Sequence, residues 1–352
     1  MAVSPPAYGY EEVFGIAKET TFGTGVNPDV WWRPVSNSLR TKDGPLPLAQ
    51  ASGVTVPFYY AAGTLRGFRG MPDVSGTVVV EAEYDDIGHI FNNAVGTATT
   101  TDNTGTNNGY EHLFEVAYQA GNMPSSWTIA RINGAGDAYR FVGCMVNTLE
   151  ISSAENRIVT VSMDIVGQAG SQAADAIGTL SAAQFIEMHH SYCRRENAVG
   201  TQPDSDDNLD DGNDCADWTF RLENNLRVQQ AAGYGVRGTR PLIYSGHRRA
   251  TLTFNKDWFD DTFYDVINNT TIGSTVDSIS VYCDSGTDID VGGQNYDLEI
   301  WLPAAVLVER DDSYGGGGDV IPETVTYEAG FYLGTGDNNI CHVILNNNTS
   351  AY

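Results

Sequence analysis

Between residues 157 and 166, apolar and polar side chains change places at nearly every step, with Val159, Val161, Met163 and Ile165 on one side and Thr160, Ser162 and Asp164 on the other. Successive side chains of a strand point to opposite faces, so a period of two reads as a half-buried β-strand and not as an amphipathic helix. Segment 139–151 precedes it and the chain turns at 152–156, which makes a hairpin with one wet face. Residues 76–84 alternate similarly, with Val78, Val80, Ala82 and Tyr84 set against Glu81 and Glu83. They run into Asp85 and Asp86, whose carboxylates suit the free N–H groups of a helix start, and Ile87, Ile90, Phe91 and Ala94 follow at helical spacing. Further strands are expected at 111–118 and 125–132.

The plan recurs downstream. Residues 248–255 alternate with Ala250, Leu252 and Phe254 inward, then lead into Asp260 and Asp261 followed by Phe263, Val266 and Ile267. DDIGHIFNN in the first half is echoed by DDTFYDVINN in the second. Strands follow at 278–284 and 295–310, and the return strand 323–333 sets Val325, Tyr327, Ala329 and Phe331 against Thr324, Thr326 and Glu328. A duplicated, mainly β unit with one short flanking helix per copy accounts for this order, and 352 residues suffice for two such cores. The expected divisions are an extended arm over 1–71, a first domain over 72–170, an Ala/Gly/Ser-rich linker over 171–184, a second domain over 185–340 and a tail over 341–352. Residues 181–247 fit no strand of this plan.

Charge narrows the function. Asp and Glu total 45 against 19 Lys and Arg, a formal net charge of −26, which argues against a protein that holds nucleic acid by neutralising phosphates. Only Lys18, Lys42 and Lys256 are lysines, a skew that suits either a high-salt proteome or a GC-rich genome. The five cysteines form no CxxC pair, and the loose set His189, His190, Cys193 and Cys215 lacks the regular spacing of a zinc site, although it has room for one disulfide. Asp204 to Asp217 resembles a calcium loop with its glycine one place late, and Asp284, Asp288 and Asp290 are no closer to one, so solvated loops are the expectation. GGGG at 315–318 lacks the Lys-Ser/Thr of a phosphate loop, and no catalytic triad or HExxH is present, so neither enzyme activity nor a cofactor or metal is expected. No apolar run long enough to span a membrane occurs, and the first residues lack the pattern of a secretory signal, so a soluble, non-secreted product with no membrane partner is expected.

Three blocks carry a resemblance: YEEVFGIAKETTFGTGVNPDVWW, then YEHLFEV with MPSSWTIARI, then YRFVGCMVNTLEISSAENRIVTVSMDIVG. They resemble the tail tube proteins of long-tailed phages and of archaeal tailed viruses over most of residues 8–170. The second half is similar through its helix echo and YDLEIWLPAAVLVERDD. The resemblance implies two tandem β-sandwich or barrel tube domains that self-assemble into rings, usually six domains around a pore, with rings stacked through loops and the arm. It implies a trimer if both halves are tube domains and a hexamer if one is an outer decoration. It also implies a virion tail component assembled in the host cytoplasm, tape measure and tail terminator proteins as partners, and genomic DNA in transit without specific binding. A lining for a polyanion should be acidic or neutral, and Glu81, Glu83, Glu150, Asp164, Asp297, Glu299 and Glu328 lie opposite the apolar faces of their strands. The alternatives are a calcium-binding surface or receptor-binding β-sandwich, and a carbohydrate-active enzyme with two carboxylates in a cleft.

Overall fold

A computed structural model of the chain describes residues 11–42, 73–103, 109–117, 124–134, 136–154, 157–173, 177–180, 184–187, 191–196, 199–204, 217–227, 247–257, 276–289, 293–311, 322–330 and 339–352, with short strands between 45 and 69 and between 230 and 244. The main strands are β1 (Val13–Lys18), β2 (Val30–Trp32), β3 (Ser36–Asn37), β4 (Arg40–Lys42), β5 (Asp73–Glu81), β6 (Thr99–Asp102), β7 (Tyr110–Ala117), β8 (Trp127–Ile132), β9 (Ala138–Ser153), β10 (Thr160–Gly167), β11 (Ala169–Ala173), β12 (Ser191–Glu196), β13 (Asp217–Glu223), β14 (Arg249–Asp257), β15 (Asp277–Asp288), β16 (Asn295–Asp311), β17 (Pro322–Ala329) and β18 (Asn339–Asn347). They form one 18-stranded hydrogen-bonded network. Helix α1 (Ile87–Ala94) follows β5.

The network has two layers. In the long layer β3 and β4 pair with β5, and the order continues through β10, the second half of β9, β13, β14 and β17 to the end of β16, antiparallel throughout. The other layer has one part ordered β2, β1, β8, first half of β9, β11, and one ordered β12, β15, first half of β16, β18, β7, β6. Their apolar faces meet in one cluster that includes Val78, Met163, Leu149, Phe220, Leu252 and Tyr327 from the long layer and Phe14, Ile129, Val281, Ile300 and Val343 from the other.

Strands β9 and β16 belong to both layers, and each is bulged just past its change of partners, between Val146 and Thr148 and between Leu307 and Glu309. An extra residue bends a strand and raises its twist, which lets one strand serve two sheets. At the change in β9, Gly143 has φ +63°, and a Cβ there would stand 2.8 Å from Gln168 Cβ, so glycine is required. Its N–H donates to the buried carboxylate of Glu19 at 2.9 Å.

The pairing plan occurs twice. β1, β8, β9, β11, β10, β5 and β4 are joined in the same manner as β12, β15, β16, β18, β17, β14 and β13. Each copy carries an insertion at the same place, where Phe58–Ala61 pairs with Thr64–Arg69 and Gln230–Gly233 with Val236–Thr239. Two ladders then tie the copies together: β9 with β13, and β7 with β18.

Several expectations need correction. Residues 13–42 are not an arm: Phe14, Trp31, Trp32 and Leu39 are core residues. Residues 341–347 are not a tail but most of β18, with Cys341, Val343 and Leu345 fully buried. The start of the linker, residues 171–173, is paired as the end of β11. Asp86 occupies the N-cap of α1 without a side-chain cap bond, and Asp85 instead accepts from Asn348 N–H at 3.2 Å, because the C-terminal segment lies against the helix start. The second expected helix after Asp260, most of the 204–217 acidic stretch, and His189, His190 and Cys215 lie outside the described residues. Cys193 is disulfide-bonded, while Cys144, Cys283 and Cys341 are free and buried.

Candidate functional site

The long layer buries one face and leaves the other open, and its register aligns polar side chains across both halves. One row runs Glu81, Thr160, Ser152, Thr219, Thr253, Thr326, Glu309. The next runs Val79, Ser162, Glu150, Arg221, Thr251, Glu328, Val306. A third runs Thr77, Asp164, Thr148, Glu223, Arg249. The sequence builds this face because alternation puts Val, Ile, Leu, Phe and Trp on the core side of each strand and leaves Thr and Ser, which β-strands accommodate well or tolerate, on the other.

Hydroxyls interact along the rows: Ser152 with Thr160 at 3.1 Å, Thr253 with Thr326 at 3.1 Å, and Thr324 donating to Asn255 at 2.8 Å. The arginines in these rows are held by carboxylates. Arg221 donates to Glu223 at 2.9 Å and to Glu150 at 3.1 Å, and Arg249 donates to Glu328 at 2.7 Å. The Glu223 bond beside Arg221 and the Glu328 bond beside Arg249 each push the guanidinium pKa up. Exposed pairs of this kind add little stability, so their consequence is electrical: these rows present carboxylates and hydroxyls, with Arg221 and Arg249 neutralised locally.

Of the acidic residues singled out from sequence, Glu81, Glu150, Asp164 and Glu328 lie on this face. Glu83, Asp297 and Glu299 do not. Glu83 follows the end of β5, bridges to Phe185 and is 8% exposed. Asp297 and Glu299 belong to the part of β16 that runs in the other layer, and both are buried. Alternation assigns a side chain to a face of its own strand, but it does not say which layer that strand occupies or what covers it. Strand β13 was missed altogether, although its sequence DWTFRLE sets Trp218, Phe220 and Leu222 against Thr219, Arg221 and Glu223. That period was legible and would have placed Arg221 and Glu223 on the face.

Asp297 accepts from Asn346 Nδ2 at 2.8 Å, and burial nevertheless pushes its carboxyl up to about 7. Burial also raises Glu299, whose carboxylate accepts from Gln202. Because the folded pKa of Asp297 lies above the unfolded one, its contribution to stability is present below about pH 4 and is lost as pH rises through about 7. Asp297→Asn keeps the acceptor for Asn346 and removes the ionisation. Its stability advantage over the wild type should therefore open between about pH 4 and 7 and level off above, reaching on the order of 4 kcal/mol. Urea unfolding of both proteins across that range tests this, and a pH-independent difference would contradict it.

Among the described residues no group of three His, Cys, Asp or Glu side chains is placed to hold a metal ion, and no helix is long and apolar enough to cross a membrane. Asp284, one of the aspartates weighed for calcium, accepts from Gly286 N–H and from Asn295 Nδ2, both at 2.9 Å, which closes the turn of its own hairpin.

A family model described as phage tail tube protein matches residues 9–329. No curated protein sequence matches the chain. Among solved structures, the tube-terminating cap of the anti-feeding prophage is similar over 44% of this chain and 92% of its own length, at 10% identity and a TM-score of 0.28, a likeness too low to carry an argument.

Proposed function

Because the chain belongs to the phage tail tube protein family, and is therefore a structural component of the virion tail, we propose that copies close into rings whose long layers line a channel for genomic DNA. The observation that carries this reading is the open face itself, which continues without a break from β5 to β16 across both halves. A conduit must pass a polyanion without holding it. Free lysines or arginines would release counterions from DNA and bind it, whereas Arg221 and Arg249 are already paired with carboxylates. Carboxylate repulsion is screened within roughly 10 Å at 0.1 M salt, so the lining acts only at close range.

Two units with one pairing plan favour a trimeric ring presenting six of them, and a hexamer is the alternative if one unit faces outward. Rings stack through the inserted strand pairs Phe58–Ala61 with Thr64–Arg69 and Gln230–Gly233 with Val236–Thr239, the tape measure and tail terminator proteins set the length, assembly takes place in the host cytoplasm, and the protein has no enzymatic role. Negative-stain microscopy of the purified protein should show stacked rings with a stain-filled centre. Monodisperse monomers at every salt concentration would refute the reading.

A further inference from the structure

Five cysteines occur in the chain. Cys144, Cys283 and Cys341 are free thiols, whereas Cys193 is disulfide-bonded. Cys215 is the one that remains. We infer that Cys193 and Cys215 are bonded to each other, closing the connector between β12 and β13 into a covalent loop of 23 residues that holds residues 199–204 against the outer face of the other layer.

The ends of that loop belong to different layers. Cys193 stands opposite Val281 of β15, and both are buried in the core. Strand β13 begins at Asp217, two residues past Cys215, and pairs with β9 and β14 of the long layer. Its Trp218 lies in the same buried cluster as Cys193. Bonded cysteines hold their Cα atoms within about 7 Å, so the bond fixes the entry into β13 beside β12 and ties one layer to the other. Between its ends the connector runs over the outside. Gly200 N–H donates to Pro303 C=O at 2.8 Å, and Gln202 Nε2 donates to the Glu299 carboxylate. Pro303 and Glu299 belong to β16, so by residue 200 the chain has crossed β15, which lies between β12 and β16. Leu298 and Ile300 face the core on either side of Glu299, which therefore points outward, yet Glu299 and Pro203 are both buried.

Six of the eleven residues 204–214 are aspartates, and like charges at that density repel, so composition alone does not hold the connector down. A crosslink does so by removing open conformations from the competing ensemble. The bond forms by exchange with a small-molecule disulfide. One cysteine thiolate attacks the reagent and releases one thiol, the second cysteine displaces the other, and the protein loses two electrons and two protons to the reagent in all. Burial pushes the thiols of Cys144, Cys283 and Cys341 up, which leaves little thiolate to reshuffle the pair. A virion component acts outside the reducing cytoplasm, where such a bond persists.

The purified chain, equilibrated with oxidised glutathione and then unfolded in guanidinium with an alkylating agent, should label at three cysteines without reductant and at five after reduction. A non-reduced peptide map should contain Cys193 linked to Cys215. Cys193→Ser and Cys215→Ser should each raise the unreduced count to four, whether or not the variant folds. The double serine variant and the reduced wild type should both melt about 4–8 °C below the oxidised chain. In both, amide hydrogen exchange at residues 199–204 should quicken about tenfold. Five labelled cysteines in the unreduced chain, another partner for Cys193, or covalent dimers on a non-reducing gel would overturn the pairing. Equal exchange at 199–204 with and without the bond would overturn its holding role.

Discussion

A chain ended after Ile340 should fail to fold, instead of losing a dispensable tail. The cut removes most of β18, whose Cys341, Val343 and Leu345 are fully buried. Each buried Val or Leu is worth about 1.5–3 kcal/mol, and the net stability of a protein is only about 5–15 kcal/mol. The loss extends beyond side chains. β18 is hydrogen-bonded on one edge to β7 of the first half and on the other to β16 of the second, so its removal strips two ladders at once. The cut also removes Asn347, whose amide donates to Tyr84 C=O at 2.7 Å, and Tyr352, whose hydroxyl donates to Asp85 C=O at 2.9 Å. Gly88 has no Cβ because the Tyr352 ring fills that space. The expected outcome is insoluble or non-cooperatively melting protein by circular dichroism. A truncated chain that melts within a few degrees of the full one would refute the assignment of β18 to the core.

The second large effect is expected at Arg248, which is 6% exposed and precedes β14. Its guanidinium donates to Ala94 C=O at 2.7 Å, to Val95 C=O at 3.1 Å and to Asn224 Oδ1 at 2.7 Å. Asn224 donates in turn to Ala94 C=O at 2.8 Å and to Val146 C=O at 2.9 Å. A helix ends with carbonyls that have no partner within the helix and carry partial negative charge, and α1 has no basic residue in its last turn. The second half of the chain supplies that cation to the helix of the first. Arg248→Ala takes the donor from buried Val95 C=O and Asn224 Oδ1, leaves Ala94 C=O with Asn224 alone, and should cost about 3–5 kcal/mol. Arg248→Lys should recover only part, since an ammonium cannot reproduce the planar fork that reaches separate acceptors. The midpoint of urea unfolding measures both, and an Ala variant within about 1 kcal/mol of the wild type would show that the network is not needed.

How far each feature could be read from sequence depended on how many strand residues bury one face. The segments around Met163 and Val325 alternate long enough to declare themselves, and the structure places β10 and β17 there. By contrast β2 is Val30–Trp32, too short to display a period, and it carries Trp31 and Trp32 buried on opposite faces. Strand β18 did alternate, through Cys341, Val343 and Leu345, but its place at the chain end made it look like a tail. The acidic residues divided along the same line. Glu150 and Asp164 lie on the open face because the second half of β9 and all of β10 run in the long layer, whereas Asp297 and Glu299 lie off it because β16 spends its first half in the other one.

Local order along the chain therefore specified which residues are strands and which side of each is apolar, because burying one face of a pleated backbone forces a period of two. Partnership between strands was settled only when all of them were in place. Every peptide group offers the same N–H and C=O, so nothing in a segment names its neighbour. That choice came from the bulges, the shared core and the edges left over, and it put hydroxyls from both halves on one surface.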